Sequence, residues 1–596
     1  MAIANLFRKK SVHATHSDDG HGTGLHRVLT VRDLTFFGIA AIIGAGSFSS
    51  IGSACFSGGP AVIFLFIICA IACGFTAMCY AEFATRVPAS GSAYTYAYVS
   101  FGELSAWIIG WALLMEYSIG NIYVAFSWSG YFVNLIEALG IHFPTWLTNN
   151  YSDSHQAFLD ACNFPAEYVR YISGNLDVKK DSFFMTWLNS DAIQTSINEG
   201  KTVLDLFISK FNEMHESKAY LAYRNSPLIV STSFIVDLPA IMINILVTWL
   251  VYVGTKESRN ASNIMVMIKL AIILLVIIVG GMYVDIDNWT PFMPNQFSGV
   301  MAGVSGVFFA YIGFDAVSTL AEESKNPQRD LPRGMIYSLI ICTIIFIILA
   351  LVLTGMVSYT ALNVSDPLAE VFALKGIKWM LFIVSIAAVV AMTSVILVFQ
   401  MGQPRIWMAM SRDGLLPQKF SEIHPKYQTP AFSTLITGLV VGIPIFFTTP
   451  KFVLDFTSIG TLFAFVLVCG GILVLPRNTA AKEKGKFKMP YINAKFIVPI
   501  ITLTSLLLIY FNHVSLIRND DGSFNYPMIV FYLVWIAIAA LSFIKNYSLI
   551  PVLGLLSCCY LLTGMGWTNW VMFSVWLVIG LVVYFIYGYR KSKLNV

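Results

Sequence analysis

The chain alternates long apolar runs with short polar segments along most of its length. Each run is long enough to cross the ~30 Å hydrocarbon core of a bilayer as a helix that rises ~1.5 Å per residue. The runs cover residues 32–57, 61–85, 103–138, 230–253, 258–283, 298–322, 333–357, 376–402, 431–448, 453–475, 494–511, 527–545, 547–565 and 569–588. The pattern predicts fourteen membrane-spanning helices, of which the third must tilt or protrude.

Glycines interrupt two of these runs, where a spanning helix should be most regular. The first run, Phe36–Ser57, contains Gly44 and Gly46, and the second, Gly299–Glu323, is interrupted at Ile312–Asp315. Glycine disfavours a helix interior by about 1 kcal/mol relative to alanine, and freed backbone groups find no water in hydrocarbon. Two such spans in corresponding halves indicate a transporter site between inverted repeats. Close helix packing is the alternative use of these glycines.

The polar segments alternate in charge. Lys and Arg concentrate in every second loop, for example in Lys325–Arg333 and Arg477–Lys488, whereas the opposite short loops carry acids such as Asp285. Cytoplasmic loops are enriched in Lys and Arg. We therefore predict a multi-pass protein of the cell (plasma) membrane with both termini in the cytoplasm. The flexible polar tail 1–31 is then cytoplasmic, and the long polar insert 141–229 lies outside.

Composition narrows the function classes. The chain is 57% hydrophobic and 12% charged, against about 25% charged residues in soluble domains. The loop positions account for the net charge of +4, so we expect no nucleic-acid partner. The sequence has no Walker motif, CxxC pair or HExxH motif, and we expect neither an enzyme nor a metal or cofactor site. The driving force for transport must then be an ion gradient or exchange.

Three segments of the chain match a known family. They are YAEFATRVPASGSAYTYAYVSFGELSAWIIGW (80–111), AYIGFDAVSTLAEESKNPQRDLPRG (310–334) and GQPRIWMAMSRDGLLP (402–417). They resemble the cationic amino acid transporter family of the amino acid–polyamine–organocation superfamily, and the similarity covers 32–475 and resumes over 547–593. The resemblance implies an all-α integral membrane protein with the LeuT-type fold.

The resemblance also implies a domain organisation. Two inverted five-helix repeats would occupy 32–283 and 298–475, with the insert 141–229 inside the first, and four accessory helices would follow over 494–588. The hairpin near 494–545 makes the chain resemble the fourteen-helix animal members of the family. The outer insert is longer than we expect in a bacterial relative.

The first break is the predicted place for a zwitterionic amino acid. The N–H groups of Gly44, Ala45 and Gly46 lie at the start of a half-helix and would bind the substrate carboxylate. The carbonyls of Ile42 and Ile43 would accept hydrogen bonds from an ammonium group.

The second break completes this site by resemblance. Phe309, Ala310 and Ile312 match the family positions that hold and cover the substrate amine. Ala45 and Ser47 depart from the family, which often has Thr and a branched apolar residue there. These departures leave the identity of the substrate undetermined, but they do not change the predicted fold.

Two ionisable residues lie deep in apolar runs, where each costs roughly 2.5–3.5 kcal/mol on insertion scales. By the resemblance, Lys269 in the fifth run takes the place of a second sodium ion, and its protonation would couple transport to protons. The alternative is that Lys269 snorkels to the cytoplasmic surface. Glu116 in the third run could relay the proton or contact a substrate amine. It could equally be a hydrogen-bonded structural acid.

The remaining charged candidates have predicted structural roles. Asp315 follows the second break and would cap the outgoing half-helix. A further group would form ion pairs that stabilise a cytoplasmic gate, or would simply be solvated helix ends: Glu82, Arg86, Glu322, Glu323 and Arg405.

The sequence therefore predicts a secondary active amino acid transporter, a proton symporter that works by alternating access around two broken helices. Its partners would be an amino acid, protons and the bilayer, and a small accessory membrane subunit is left open. An exchanger of amino acids or polyamines is the alternative, and a non-transporting nutrient sensor is a rival from another class. The apolar residues at the breaks favour neutral over cationic substrates.

Overall fold

A computed structural model of the chain is almost entirely helical. The structure describes residues 6–10, 27–44, 46–87, 89–173, 182–189, 193, 197, 202–229, 232–296, 299–300, 304–364, 367–475, 487–511, 525–565 and 567–595. The statements below concern these residues.

The first half of the chain contains membrane helices of unequal length and, between them, the helices of the insert. These are α1 Val31–Ile42, α2 Ile51–Gly58, α3 Val62–Arg86, α4 Ala93–Ser100, α5 Glu103–Ala138, α6 Tyr151–Ile172, α7 Phe183–Leu188, α8 Val203–Glu216, α9 Lys218–Arg224, α10 Leu238–Val253 and α11 Thr255–Gly281. A two-stranded antiparallel hairpin, β1 Leu228–Ile229 with β2 Thr232–Ser233, precedes α10.

The second half repeats the alternation of long and short helices. These are α12 Val304–Tyr311, α13 Pro327–Met356, α14 Pro367–Leu374, α15 Lys378–Arg412, α16 Ala431–Gly442, α17 Pro450–Val474, α18 Ile497–Phe511, α19 Tyr526–Lys545, α20 Leu549–Thr563 and α21 Trp567–Val583. The last helix continues through a π-turn, Tyr584–Gly588, to Tyr589–Lys591.

In the described part of the chain, seven helical stretches have the length and composition to cross a membrane, and five shorter helices of 10–17 residues are also apolar. The prediction of an all-helical, multi-pass membrane protein is confirmed. The count of fourteen spans and the division into two five-helix repeats remain predictions, because neither follows from helix length and composition alone.

The two longest helices, α5 and α15, pack along each other at the centre of the molecule. Helix α3 packs on α13, α1 also lies against α13, and α17 fills the space between α5 and α20. One continuous apolar core joins these helices. Side chains that face outward are large and apolar, for example Trp249 and Ile344, as expected where lipid is the solvent.

The insert has a small core of its own. Helices α6 to α9 bury Phe164, Phe184 and Tyr220 among other aromatic side chains. The insert is held to the end of α5 by an ion pair, in which Lys218 Nζ lies 2.9 Å from Glu137 Oε2. The described part of the insert is therefore a folded helical unit, in line with the amphipathic stretch Thr202–Phe211 in its sequence.

Candidate functional site

The first break interrupts the chain between α1 and α2. Helix α1 begins at a capping box in which Thr30 and Asp33 satisfy each other's N–H groups. It ends at Ile42, and Ile43 is already extended, with φ −83° and ψ 94°. The chain resumes as a π-turn, Gly46–Ser50, before α2. Ile42 and Ile43 are buried, whereas Ala45 lies outside the described residues.

The second break separates α12 from a 3-10 helix, Phe314–Glu323. Gly313 lies between them with φ +114°, in the left-handed region that favours glycine. A Cβ atom on Gly313 would also lie 2.6 Å from the Cβ atom of Ala41. Glycine is therefore required here both by the backbone conformation and by the close approach of α1.

The two breaks are in direct contact. A Cβ atom on Gly46 would lie 2.5 Å from the Cα atom of Ala310, so the start of the second half-helix touches the end of α12. Gly44 faces Val395 of α15 at similarly close range. Ile312 is buried beside them. The structure thus brings together the predicted residues of both breaks, except Ala45 and the side chain of Phe309, which are not described.

Lys269 of α11 is tied to the end of α1. Its Nζ atom donates hydrogen bonds to the carbonyls of Ile43 (2.7 Å), Ile39 (3.1 Å) and Ala40 (3.1 Å). Its fourth contact is the hydroxyl of Ser394, at 3.0 Å. The last carbonyls of a helix generally lack partners within it, although Ile39 also accepts from the N–H of Ile43. A cation is favoured there by the helix dipole. The side chain is fully buried, so the snorkelling alternative is wrong.

Glu116 and Asp315 form a second buried polar group. Both side chains are 1% exposed, and their carboxyl groups are close enough to interact electrostatically. Tyr117 donates to Asp315 Oδ2 at 3.5 Å, and Thr461 hydrogen-bonds Glu116. Asp315 Oδ1 and Glu116 Oε2 have no hydrogen-bond partner among the described residues.

The predicted capping role of Asp315 takes a different form. The residue before the 3-10 helix is Gly313, and no side chain forms a cap hydrogen bond there. Asp315 lies inside the first turn instead. An acid in a first turn still interacts favourably with the helix dipole. The Asp315 carboxylate interacts with backbone N–H groups of this turn, at Gly313 and Ala316, and also accepts from Tyr117 on α5.

Aromatic rings line the region beside the second break. Phe465 of α17 contacts Phe308, Phe314 and Tyr80, with ring centroids 6.3, 5.2 and 5.7 Å apart. These rings make the surroundings of the break apolar. Neither Phe465 nor Tyr80 was predicted as a site residue, because one aromatic residue in an apolar run carries no distinguishing pattern.

The predicted gate residues divide into two kinds. Arg405 Nη2 lies 2.6 Å from Glu323 Oε1, and both side chains are at most 1% exposed, so this pair joins α15 to the end of the 3-10 helix. Glu322 pairs with Arg412, Nη1 to Oε2 at 2.8 Å, a partner that was not predicted. These two pairs link the same two elements.

Glu82 and Arg86 form a pair of the other kind. They bond each other one turn apart on α3. This pair stays within one helix and does not link α3 to another element.

Comparison with known proteins agrees with this architecture. The sequence model of the amino acid permease family matches residues 29–538, and that of the family's C-terminus matches residues 547–592. The chain belongs to the amino acid permease family and is a membrane transporter rather than an enzyme.

Individual relatives cover nearly the whole chain. The chain is 34% identical to the branched-chain amino acid permease BcaP of Bacillus subtilis, over 99% of both chains. It is 32% identical to the methylthioribose transporter of the same organism, over 100% of both chains. It is 29% identical to the vacuolar cationic amino acid transporter 2 of Arabidopsis thaliana, over 99% of this chain and 94% of that one. The resemblance to cationic amino acid transporters is therefore confirmed.

Proposed function

We propose that this protein is a secondary active transporter that carries neutral amino acids across the cell membrane together with protons. The substrate binds between the two breaks, with its carboxylate on the N–H groups at Gly44–Gly46. Its amine is held by carbonyls at the ends of α1 and α12. The support for this site is the direct contact of Gly46 with Ala310, which brings the two breaks together as expected of a transporter site between broken helices.

The observation that carries proton coupling is the position of Lys269. An ammonium group has three N–H donors and a neutral amine has two. Three carbonyls at the end of α1 accept from Lys269, so loss of its proton removes one donor and the positive charge that the end of the helix favours. Protonation of Lys269 and the position of the half-helix that holds the substrate are thereby linked.

The substrate class follows from the walls of the site. Phe308, Tyr311 and Ile312 are buried beside the breaks, and a cationic side chain among them would need a carboxylate. Glu116 and Asp315 are the acids nearby, and each already bonds a hydroxyl group. The relative named as a branched-chain permease favours leucine, isoleucine and valine.

Competition for uptake tests the substrate class. Purified protein in proteoliposomes should take up labelled leucine, and excess valine or isoleucine should suppress this uptake, whereas excess arginine or lysine should not. Suppression by arginine and lysine alone, with loss of that suppression in Glu116→Gln, would contradict the proposal. It would also make Glu116 the residue that selects a cationic substrate.

A further inference from the structure

The two ends of the chain meet on one face of the molecule. The described part of the N-terminal tail, Leu6–Lys10, packs against the start of α5, where Glu103 N donates to Arg8 O at 2.9 Å. Arg8 Nη1 donates to the carbonyl of Leu594 at 2.9 Å. These five residues therefore pack against the membrane helices, and we call them the docked segment.

Glu103 is the centre of this junction. Its carboxylate is fully buried and accepts hydrogen bonds from the hydroxyls of Tyr98 (3.0 Å), Tyr584 (2.9 Å) and Ser592 (2.5 Å). The guanidinium of Arg8 is 3.4 Å away and provides a positive charge. A buried carboxylate needs such compensation. The docked segment therefore supplies a charge that the membrane helices do not.

Glycine makes the approach of the docked segment possible. Gly102, directly before α5, has φ +103°, and a Cβ atom there would lie 2.5 Å from the carbonyl oxygen of Phe7. Any other residue would be strained and would push the segment away.

The docked segment also reaches the end of α15. Lys10 Nζ lies 2.8 Å from Asp413 Oδ1, and Tyr94 donates its hydroxyl to Asp413 Oδ2 at 2.8 Å. Burial and the neighbouring Asp413 raise the pKa of Tyr94 well above its usual range, so this hydroxyl keeps its proton and remains a donor. The preceding residue, Arg412, forms the ion pair with Glu322. The tail and the gate thus bind consecutive residues of α15.

We propose that the docked segment is a latch that keeps the cytoplasmic side of the transporter closed and must release when the site opens to that side. The latch rests on the proposed alternating access. Its ion pair between Lys10 and Asp413 is partly solvated, since the two side chains are 18% and 13% exposed. A pair that is exposed on both sides is weaker than the buried Glu323–Arg405 pair and can open reversibly.

Labelling of a buried cysteine at the gate tests the latch. Ser90 is 3% exposed, and its N–H donates to Glu322, while its hydroxyl has no partner among the described residues. Ser90→Cys, combined with Cys162→Ser, places one thiol behind the gate. In membranes exposed on their cytoplasmic side, Lys10→Ala should speed labelling by an impermeant maleimide about fivefold, the factor for about 1 kcal/mol. Arg8→Ala should act in the same direction.

The controls separate the latch from general destabilisation. Lys9→Ala removes the same charge from an exposed neighbouring side chain and should leave the labelling rate unchanged. The effect of Lys10→Ala should disappear in an Asp413→Asn background, because the bond is already cut. Equal labelling in the Lys10 variant and its parent, or an equal increase in Lys9→Ala, would overturn the proposal.

The labelling assay needs no transport. Faster labelling in a protein that accumulates no amino acid would leave the latch standing and contradict the proposed function. Normal amino acid uptake with unchanged labelling would leave the proposed function standing and overturn the latch.

Discussion

Lys269 joins two membrane helices through its terminal ammonium group. It is buried, and it binds the carbonyls at the end of α1 and the hydroxyl of Ser394 on α15. A lysine in apolar surroundings is costly unless its bonds are satisfied, and here every donor has a partner. The energy of these bonds depends on the charge of Lys269, so the proposed function predicts that protonation controls the contact between α1 and α15.

Two substitutions of Lys269 separate charge from protonation. Lys269→Met removes the charge, and Lys269→Arg fixes it, because arginine does not lose its proton in proteins. Both should abolish proton-driven accumulation of leucine while retaining measurable leucine binding. Binding is measured by thermal shift and accumulation by uptake into proteoliposomes. Lys256→Met, on an exposed side chain of the same helix, is the matched control and should accumulate leucine normally.

The buried pair Glu323–Arg405 makes a second prediction at this scale. Removal of one partner of a buried pair leaves an uncompensated charge and costs about 3–5 kcal/mol. Glu323→Gln should therefore lower the midpoint of thermal unfolding strongly. Glu322 pairs with Arg412, whose side chain is 28% exposed. Glu322→Gln should therefore lower the midpoint of thermal unfolding much less. Equal shifts in the two variants would contradict the larger contribution to stability that we expect of the buried Glu323–Arg405 pair.

Among the elements, the broken helices depend on their glycines. Gly313→Ala places a Cβ atom at a left-handed position and against Ala41, and strained positions cost of order 1–3 kcal/mol each. We expect this variant to lose most of its leucine uptake, because the two breaks can no longer touch. Gly130→Ala, where no atom lies within 4 Å of the added methyl group, should transport normally. Normal uptake by Gly313→Ala would show that contact between the breaks is not required.

The breaks are also where the sequence was most informative. Glycine in an apolar run is costly enough to mark Gly44, Gly46 and Gly313 as sites of interruption, and the helices end within a few residues of them. A lone serine such as Ser394 gives no comparable signal, because any apolar helix tolerates one. Its role depends on which helix face α1 occupies, and that is a tertiary property.

At the scale of the whole molecule, the ends of the chain were the least predictable part. The contact between Lys10 and Asp413 joins residues 403 positions apart. It exists because the first residues of α5 and the last residues of α15 lie close together. In the sequence, a basic tail indicates only that this end of the chain lies in the cytoplasm. Its composition does not indicate that it packs against the membrane helices.

Accumulation of leucine driven only by a proton gradient distinguishes a symporter from an exchanger. Proteoliposomes that contain the purified protein and no internal amino acid are diluted into acidic buffer with labelled leucine. We predict accumulation above the external concentration, which a protonophore abolishes. Uptake only into vesicles preloaded with amino acid, without any response to the pH gradient, would contradict the account and identify an exchanger.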